Sequence, residues 1–100
     1  MNIIPEPLEF QWDKGNIDKS LKKHGIENEE AESVFFDENS VFSEDIKHSR
    51  TEKRYQILGR SERNILLNVI FTLRGNKIRV ISARKVNNKE RRLYEQKKGS

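Results

Sequence analysis

Strongly apolar and more polar residues alternate through the second half of the chain, and this period of two is typical of β-strands. The most apolar run is "ILLNVIFTL" at residues 65–73, in which positions 65, 67, 69, 71 and 73 all carry large apolar side chains. The positions between them are mixed, so the two faces of the run differ. We predict a central strand whose apolar face lines the core.

Shorter runs with the same alternation lie on either side of this strand. They are "SVFSED" at 40–45, "KRYQILGR" at 53–60 and "KIRVISA" at 77–83, separated by the polar loop "KHSRTE" and the turns "SERN" and "RGNK". A further run near the start, "LEFQWD" at 8–13, also alternates and predicts a short half-buried strand. Short turns favour antiparallel neighbours, so we expect an antiparallel sheet of about four to five strands.

The first half of the chain has helical spacing instead. In "KGNIDKSLKKH" at 14–24, Ile17, Leu21 and His24 fall on one stripe that we expect to be buried, with Asp13 as the N-cap and Gly25 as a left-handed C-terminal residue. A second helix is predicted from 27 or 28 to 37–39, with Ala31, Val34 and Phe35 on its buried side.

A third, basic helix is predicted in "NNKERRLYEQKK" at 87–98, with Asn87 or Asn88 as its N-cap. Two N-terminal helices, a strand meander and a C-terminal helix indicate an α+β fold. A chain of 100 residues with 33% hydrophobic residues supports one core. We therefore expect one domain over 1–100, with 1–7 and 97–100 irregular.

Composition excludes some classes of protein. The chain has no cysteine, so it has neither a disulfide framework nor a thiolate metal site. The apolar runs fall short of the roughly 20 residues that span a bilayer, and the start lacks the pattern of a signal peptide. We expect a cytoplasmic protein with no membrane partner.

Charge is divided unevenly along the chain. Residues 1–50 contain 6 Lys and Arg against 12 Asp and Glu, whereas residues 51–100 contain 14 against 4. Clustered basic residues are typical of proteins that bind nucleic acid or an acidic partner. The alternative is that the acidic helices lie against the basic sheet and neutralise it.

A set of ordered motifs then suggests a family. "FQWD" at 10–13 is followed by Lys14, "KKHG" at 22–25, "EEA" at 29–31, "EKRYQILGR" at 52–60 and "IRVISARKVNNKERRLYE" at 78–95. Together they resemble the BrnT toxins, ribonucleases of type II toxin–antitoxin systems with a RelE-like fold. The resemblance covers nearly all of residues 10–95. It departs from the family pattern at Glu27 and Asn28, ahead of "EEA".

The resemblance implies RNA cleavage without a metal or other cofactor. The chain's two histidines lie far apart, and no His, Asp and Glu cluster has the spacing of metal ligands. In such a reaction the 2′-hydroxyl attacks the neighbouring phosphate, and cationic donors stabilise the developing charge. Arginine suits that task because its planar guanidinium binds two phosphate oxygens and stays charged.

The candidate catalytic residues are therefore arginines first. We expect Arg79 and Arg84 to border one surface with partly exposed side chains, and Arg54 to join them if the register permits. Glu90 and Tyr94, four apart on the last helix, are candidates for proton acceptor and for proton donor or stacking ring. Alternatively, Glu90 pairs with Arg84 or Arg91, and Tyr94 belongs to the core.

Other residues are weaker candidates. We expect RNA contacts from Arg60, Lys77, Arg91, Lys23 and Trp12, although Trp12 at a strand end is equally typical of the core. His24 is an acid–base candidate, but an imidazole at the end of a helix also complements the helix dipole. His48 lies in a polar loop with no evident partner, and we interpret it as solvent-exposed.

The resemblance also implies partners. They are an RNA substrate, either free mRNA or mRNA on the ribosome, and a BrnA-like antitoxin with a ribbon-helix-helix domain. Through that antitoxin the protein would contact DNA indirectly. Two alternatives stay open: a basic module that binds nucleic acid or the ribosome without cleaving it, and an inactive partner of a DNA-binding antitoxin.

Overall fold

A computed structural model describes residue 4 and residues 8–98. The strands are β1 (Val41–Glu44), β2 (Tyr55–Arg60), β3 (Leu66–Arg74) and β4 (Lys77–Lys85), and the helices are α1 (Lys19–His24), α2 (Asn28–Ser33) and α3 (Asn88–Lys98). Short 3-10 helices lie at Val34–Phe36 and Ile46–His48. This is the predicted α+β fold, with helices before and after a strand meander.

The four strands form one antiparallel sheet in the order β1-β2-β3-β4. The strand β3 is interior, as predicted, and Leu67, Val69 and Phe71 on its apolar face are fully buried. Ala31 and Val34 from α2 and the following 3-10 helix pack against this face. The alternation of apolar residues along β3 therefore placed the main core correctly.

The predicted fifth strand at 8–13 is reduced to a single bridge. Phe10 pairs in parallel with Ile78 of β4. The N–H of Gln11 donates to the carbonyl of Ile78, and the N–H of Ile78 donates to the carbonyl of Glu9, both at 2.8 Å. The segment thus covers one end of the outer edge of β4 without becoming a strand.

The helix α1 is shorter than predicted, and its buried face is a different one. Residues 14–18 form turns, and Ile17 and Leu21 are 41% and 44% exposed. Asn16 and Ser20 are buried in their place. The side-chain amide of Asn16 donates to the Val80 carbonyl at 3.0 Å, and the Ser20 hydroxyl accepts from the Ala83 N–H at 2.7 Å.

These two bonds explain why the face of α1 that is buried is polar and is not the predicted apolar stripe. The strand β4 lies at the edge of the sheet, where backbone groups lack a neighbouring strand. Buried backbone groups need hydrogen-bond partners; the segment 9–11 supplies them at Ile78, and polar side chains of α1 and its leading turn supply them at Val80 and Ala83. The predicted stop is confirmed, because Gly25 has a φ of 72° and its N–H bonds to the Leu21 carbonyl.

A β-bulge interrupts β4. Phe71 pairs with Val80 but Ile70 pairs with Ser82, so Ile81 is an extra residue on β4. In a regular strand, residues 79 and 84 would point to opposite faces because five positions separate them. The bulge reverses the alternation, so Arg79 opposite Thr72 and Arg84 opposite Asn68 share one face.

The helix α3 packs on that same face, at the end formed by β1 and β2. Its buried Tyr94 joins Leu58 and Leu66 in a second, smaller core. Asn87 is the N-cap, as predicted: its side chain accepts from the Glu90 N–H at 2.8 Å, and Glu90 accepts from the Asn87 N–H at 3.0 Å.

The irregular termini predicted from the sequence can be compared with the structure only in part. The helix α3 continues through 97 and 98, so the prediction of an irregular C-terminus was wrong for those two residues. Residues 1–3, 5–7 and 99–100 lie outside the described residues.

We predict that Asn16→Ala lowers the free energy of unfolding by about 2 to 4 kcal/mol, because it removes three hydrogen bonds and leaves buried backbone groups unpaired. The neighbouring Ile17→Ala should cost about 1 kcal/mol or less, since Ile17 is exposed. Urea unfolding of both variants measures this. If Ile17→Ala lowered the free energy of unfolding more than Asn16→Ala, the buried face of α1 would be the apolar stripe that includes Ile17.

Candidate functional site

Three adjoining depressions lie on the part of the sheet face that α3 leaves uncovered, and we call them together the groove. Their volumes are about 150, 350 and 360 Å³. Arg54 and Ile81 line all three, Arg79 lines the first, and Arg84 lines the other two. The register therefore brings Arg54 into the same surface as Arg79 and Arg84, as the sequence predicted.

Arg54 immediately precedes β2, and its backbone is held on both sides. Its N–H donates to the Ser49 hydroxyl at 3.0 Å, and its carbonyl accepts from the Asp45 N–H at 2.7 Å. Its guanidinium has no hydrogen bond or ion pair with any residue in the described part of the chain. The backbone of Arg54 is thus fixed, and its guanidinium is available to a ligand.

Arg79 is paired instead with Asp13. Its two terminal nitrogens donate to the two carboxylate oxygens at 2.6 and 2.9 Å, and its side chain is only 13% exposed. The bonds from Arg79 lower the pKa of Asp13, helped by the Gly15 N–H. A Cβ at Gly15 would lie 2.8 Å from the Arg79 guanidinium, so glycine permits this approach. Arg79 is partly exposed, as predicted, although only to a small extent, and Asp13 serves as its partner and not as a helix cap.

Arg84 forms the second bidentate pair, with Glu90 of α3. The distances are 2.9 and 2.8 Å, and 37% of the Arg84 side chain is exposed. Glu90 also accepts from the Asn68 side chain at 2.7 Å. Burial opposes ionisation of Glu90, but the bonds from Arg84, the Asn87 N–H and Asn68 outweigh it and lower the pKa of Glu90. Of the alternatives that the sequence left open for Glu90, the structure shows the pair with Arg84.

Tyr94 lies away from the groove. Its ring is 1% exposed, and its hydroxyl donates to Asp37 at 2.7 Å. Burial and the Asp37 carboxylate raise the pKa of Tyr94 to about 12. The Arg60 guanidinium lies 5.8 Å from the centre of this ring. Tyr94 and Arg60 therefore belong to the small core under α3, and the roles predicted for them have no support from the geometry.

The remaining candidates divide between the groove and other surfaces. Lys23 and His24 line the same depression as Arg84. The Trp12 indole donates to Glu32 at 2.6 Å, and its ring packs against the main core. Lys77 and Arg91 are exposed but line none of the three depressions.

Sequence reasoning missed two pairs at the groove. One is Glu52 and Arg74, which line the first depression and are joined at 3.1 Å; the other is Asp45 and His48. His48 and Asp45 line the depression that also contains Arg54 and Arg84, and the His48 Nδ1 lies 3.0 Å from a carboxylate oxygen of Asp45. The sequence predicted only a solvent-exposed His48, because an irregular segment does not indicate which residues it folds against. The spacing of three between Asp45 and His48 was the available clue, since one helical turn brings such residues together.

Residues 12–90 match the model of a protein family described as "Ribonuclease toxin, BrnT, of type II toxin-antitoxin system". The chain belongs to the BrnT family. The match includes every residue that lines the groove, from Gly15 to Arg84, so the candidate site lies wholly within the BrnT region. No curated protein gave a significant match. Among the described residues, no helix has the length and apolar character needed to cross a membrane, and no three His, Asp or Glu side chains are grouped as a metal site.

We predict that Glu90→Gln destabilises the protein at pH 7 by about 1 to 3 kcal/mol, because it leaves Arg84 without its carboxylate. The pKa of Glu90 is lowered by folding, so its contribution is present above pH 4.5, its ordinary value, and is lost as the pH falls through the lowered pKa. Urea unfolding at pH 7 and pH 3 should therefore show a smaller deficit at pH 3 than at pH 7.

The matched control is Glu95→Gln, on the exposed side of the same helix. It should change stability by about 0.5 kcal/mol or less at either pH. A Glu90→Gln protein whose stability follows that of the unmodified chain at both pH values would contradict a stabilising Arg84–Glu90 pair.

Proposed function

We propose that this BrnT protein cleaves single-stranded RNA in the groove without a metal ion, and that it thereby inhibits translation and growth in the cytoplasm. The observation that carries this proposal is Arg54, an unpaired arginine that lines the groove together with Arg79 and Arg84. These three arginines, with Arg74 in the first depression, suit a phosphodiester better than a neutral ligand.

The reaction requires charge stabilisation above all. When the 2′-oxygen attacks phosphorus, negative charge accumulates on the oxygens that do not bridge two nucleotides. Arg54 meets that charge first, because no carboxylate in the described chain forms a hydrogen bond or ion pair with it; Glu52, which lies near it in the first depression, is paired with Arg74. Arg84 adds the donors that Glu90 leaves unused, and its exposed third faces the groove.

Arg79 has a different role in this proposal. Asp13 cancels most of its charge, and its donors are largely enclosed. It holds the segment before α1 against β4 and borders the smallest depression, where its remaining donors meet a neighbouring phosphate. The order of importance for cleavage is therefore Arg54, then Arg84, then Arg79.

The strand of RNA has a natural path across this surface. Lys19, Lys23 and His24 form the wall on the α1 side. Lys and Arg side chains outside the depressions, such as Lys77 and Arg91, extend the basic surface and contribute affinity without sequence preference. Free mRNA and mRNA on the ribosome are both candidate substrates for this open groove.

The same geometry supports a second candidate, a BrnT chain that binds RNA without cleaving it. Its support is that two of the three arginines are already neutralised by Asp13 and Glu90. Such pairs reduce the charge available to a transition state while leaving a surface for weaker binding. The two candidates differ in product formation and not in binding.

Our prediction for cleavage is that the protein cuts single-stranded RNA in the presence of EDTA and leaves the same sequence of DNA intact, since DNA lacks the 2′-hydroxyl. Arg54→Ala should reduce the rate by about 10² to 10³ with an unchanged unfolding curve. The control Arg92→Ala, an exposed residue of α3 away from the groove, should leave the rate nearly unchanged. RNA bound but never cut, in EDTA or with Mg²⁺, would favour the binding module.

The type II toxin–antitoxin family implies a cognate antitoxin. We expect a BrnA-like protein with a ribbon-helix-helix domain, which contacts DNA itself and covers Arg54 and Arg84. Inhibition then occurs by occlusion, because RNA and antitoxin need the same surface. Charge complementarity speeds this encounter, and apolar contacts slow dissociation.

Competition tests that expectation. RNA and antitoxin should exclude each other, and RNA binding should weaken steeply between 50 and 200 mM salt, on the order of tenfold or more, while the antitoxin complex weakens much less. Fluorescence anisotropy with labelled RNA measures both. An active ternary complex would show that the antitoxin inhibits from another surface.

A further inference from the structure

His48 occupies a defined position at the edge of the groove. It ends the 3-10 helix Ile46–His48, and its side chain is 59% exposed. It lines the depression of about 360 Å³ together with Arg54, Ser82 and Arg84. An imidazole therefore stands beside the cations that bind phosphate in the proposed function.

The ring has a preferred orientation and a preferred tautomer. Its Nδ1 lies 3.0 and 3.2 Å from the two carboxylate oxygens of Asp45. A carboxylate can only accept, so the proton of the neutral ring resides on Nδ1. The Nε2 atom then carries the lone pair, and it is the nitrogen that can take a proton from a substrate.

The loop that carries this pair is tied to Arg54. The Asp45 N–H donates to the Arg54 carbonyl at 2.7 Å. The Ser49 hydroxyl accepts from the Arg54 N–H at 3.0 Å and donates to the Asp45 carbonyl at 2.6 Å. These short bonds fix the loop that carries His48 against the backbone of Arg54.

The three other candidates suit proton removal less well. His24 lines the neighbouring depression, but its ring has no hydrogen-bond partner among the described residues that would orient it. The Glu90 carboxylate accepts from Arg84, Asn68 and the Asn87 N–H, which stabilise its ionised form and occupy its oxygens. The Tyr94 hydroxyl donates to Asp37 under α3. Removing a proton from a 2′-hydroxyl requires an open lone pair at the groove.

We propose that His48 is the general base of the cleavage reaction and that Asp45 is its positioning residue. The proposal rests on the proposed function and deepens it. The 2′-hydroxyl gives its proton to Nε2 of His48 as the O2′–P bond forms and the P–O5′ bond breaks. The leaving 5′-oxygen takes a proton from water, so the products are a 2′,3′-cyclic phosphate and a 5′-hydroxyl.

The charges that face the imidazole come from three elements: Asp45 on its own loop, Arg54 ahead of β2 and Arg84 on β4. A general base acts in its unprotonated form, so the proposal expects a cleavage rate that rises with pH.

The experiment compares His48→Gln, Asp45→Asn and the control Lys47→Gln, an exposed residue of the same 3-10 helix that does not line the groove. Each full-length protein is given labelled single-stranded RNA in EDTA from pH 5 to 9, and RNA binding is measured in parallel with RNA whose 2′-hydroxyls are methylated. His48→Gln should lose about 10² or more of the rate, lack the rise with pH, and bind RNA within about twofold of the unmodified protein. Asp45→Asn should lose about tenfold or more and shift the pH profile, and Lys47→Gln should change little.

Each outcome decides the proposal. A His48→Gln protein that cleaves within about threefold of the unmodified rate, or keeps the rise with pH, would overturn it while leaving the proposed function intact. A rate loss matched by an equal loss of RNA binding would also overturn it, because His48 would then be a binding residue. An unmodified protein that never cleaves RNA would overturn the proposed function and this proposal together.

Discussion

The pairing of β3 with β4, including its bulge at Ile81, is the constraint on which the rest of the structure depends. β3 carries the fully buried row that α2 covers, and β4 carries Arg79 and Arg84 of the groove. Without the extra residue, Arg84 would point toward the core side, where Val69 and Ala83 lie. One additional residue therefore determines that Arg84 shares a face of the sheet with Arg79.

The outer edge of β4 imposes a second constraint, with consequences for the groove. Asn16 and Ser20 satisfy its backbone, and this places α1 along the edge. Lys23 and His24 then form one wall of the groove, and Asp13 reaches Arg79. The acidic first half of the chain thus neutralises part of the basic half. From the sequence alone, such neutralisation was the alternative to a surface that binds nucleic acid.

That neutralisation is selective. Arg79 and Arg84 are each held by one carboxylate, whereas Arg54 is left unpaired among the described residues. Ion pairs of this kind hold guanidinium groups in a fixed orientation and reduce their net charge. The groove of this BrnT protein therefore has one arginine without an internal partner among the described residues, beside two that internal partners orient. The arginines of the groove therefore differ in whether an internal carboxylate already binds them, and this difference matters more than their number.

The sequence alone determined the elements whose causes are local. The alternation in residues 65–73 predicts β3 and its buried face, the cap at Asn87 predicts the start of α3, and Gly25 predicts the end of α1, because each depends on neighbours within a few residues. The family resemblance also came from linear motifs. Only the tertiary structure decided which arginine is unpaired, that Asn16 and Ser20 replace Ile17 and Leu21 as buried residues, and that His48 meets Arg54. These outcomes depend on partners distant in sequence, on an edge that must find hydrogen bonds, and on a bulge that changes the alternation, none of which a periodic pattern encodes.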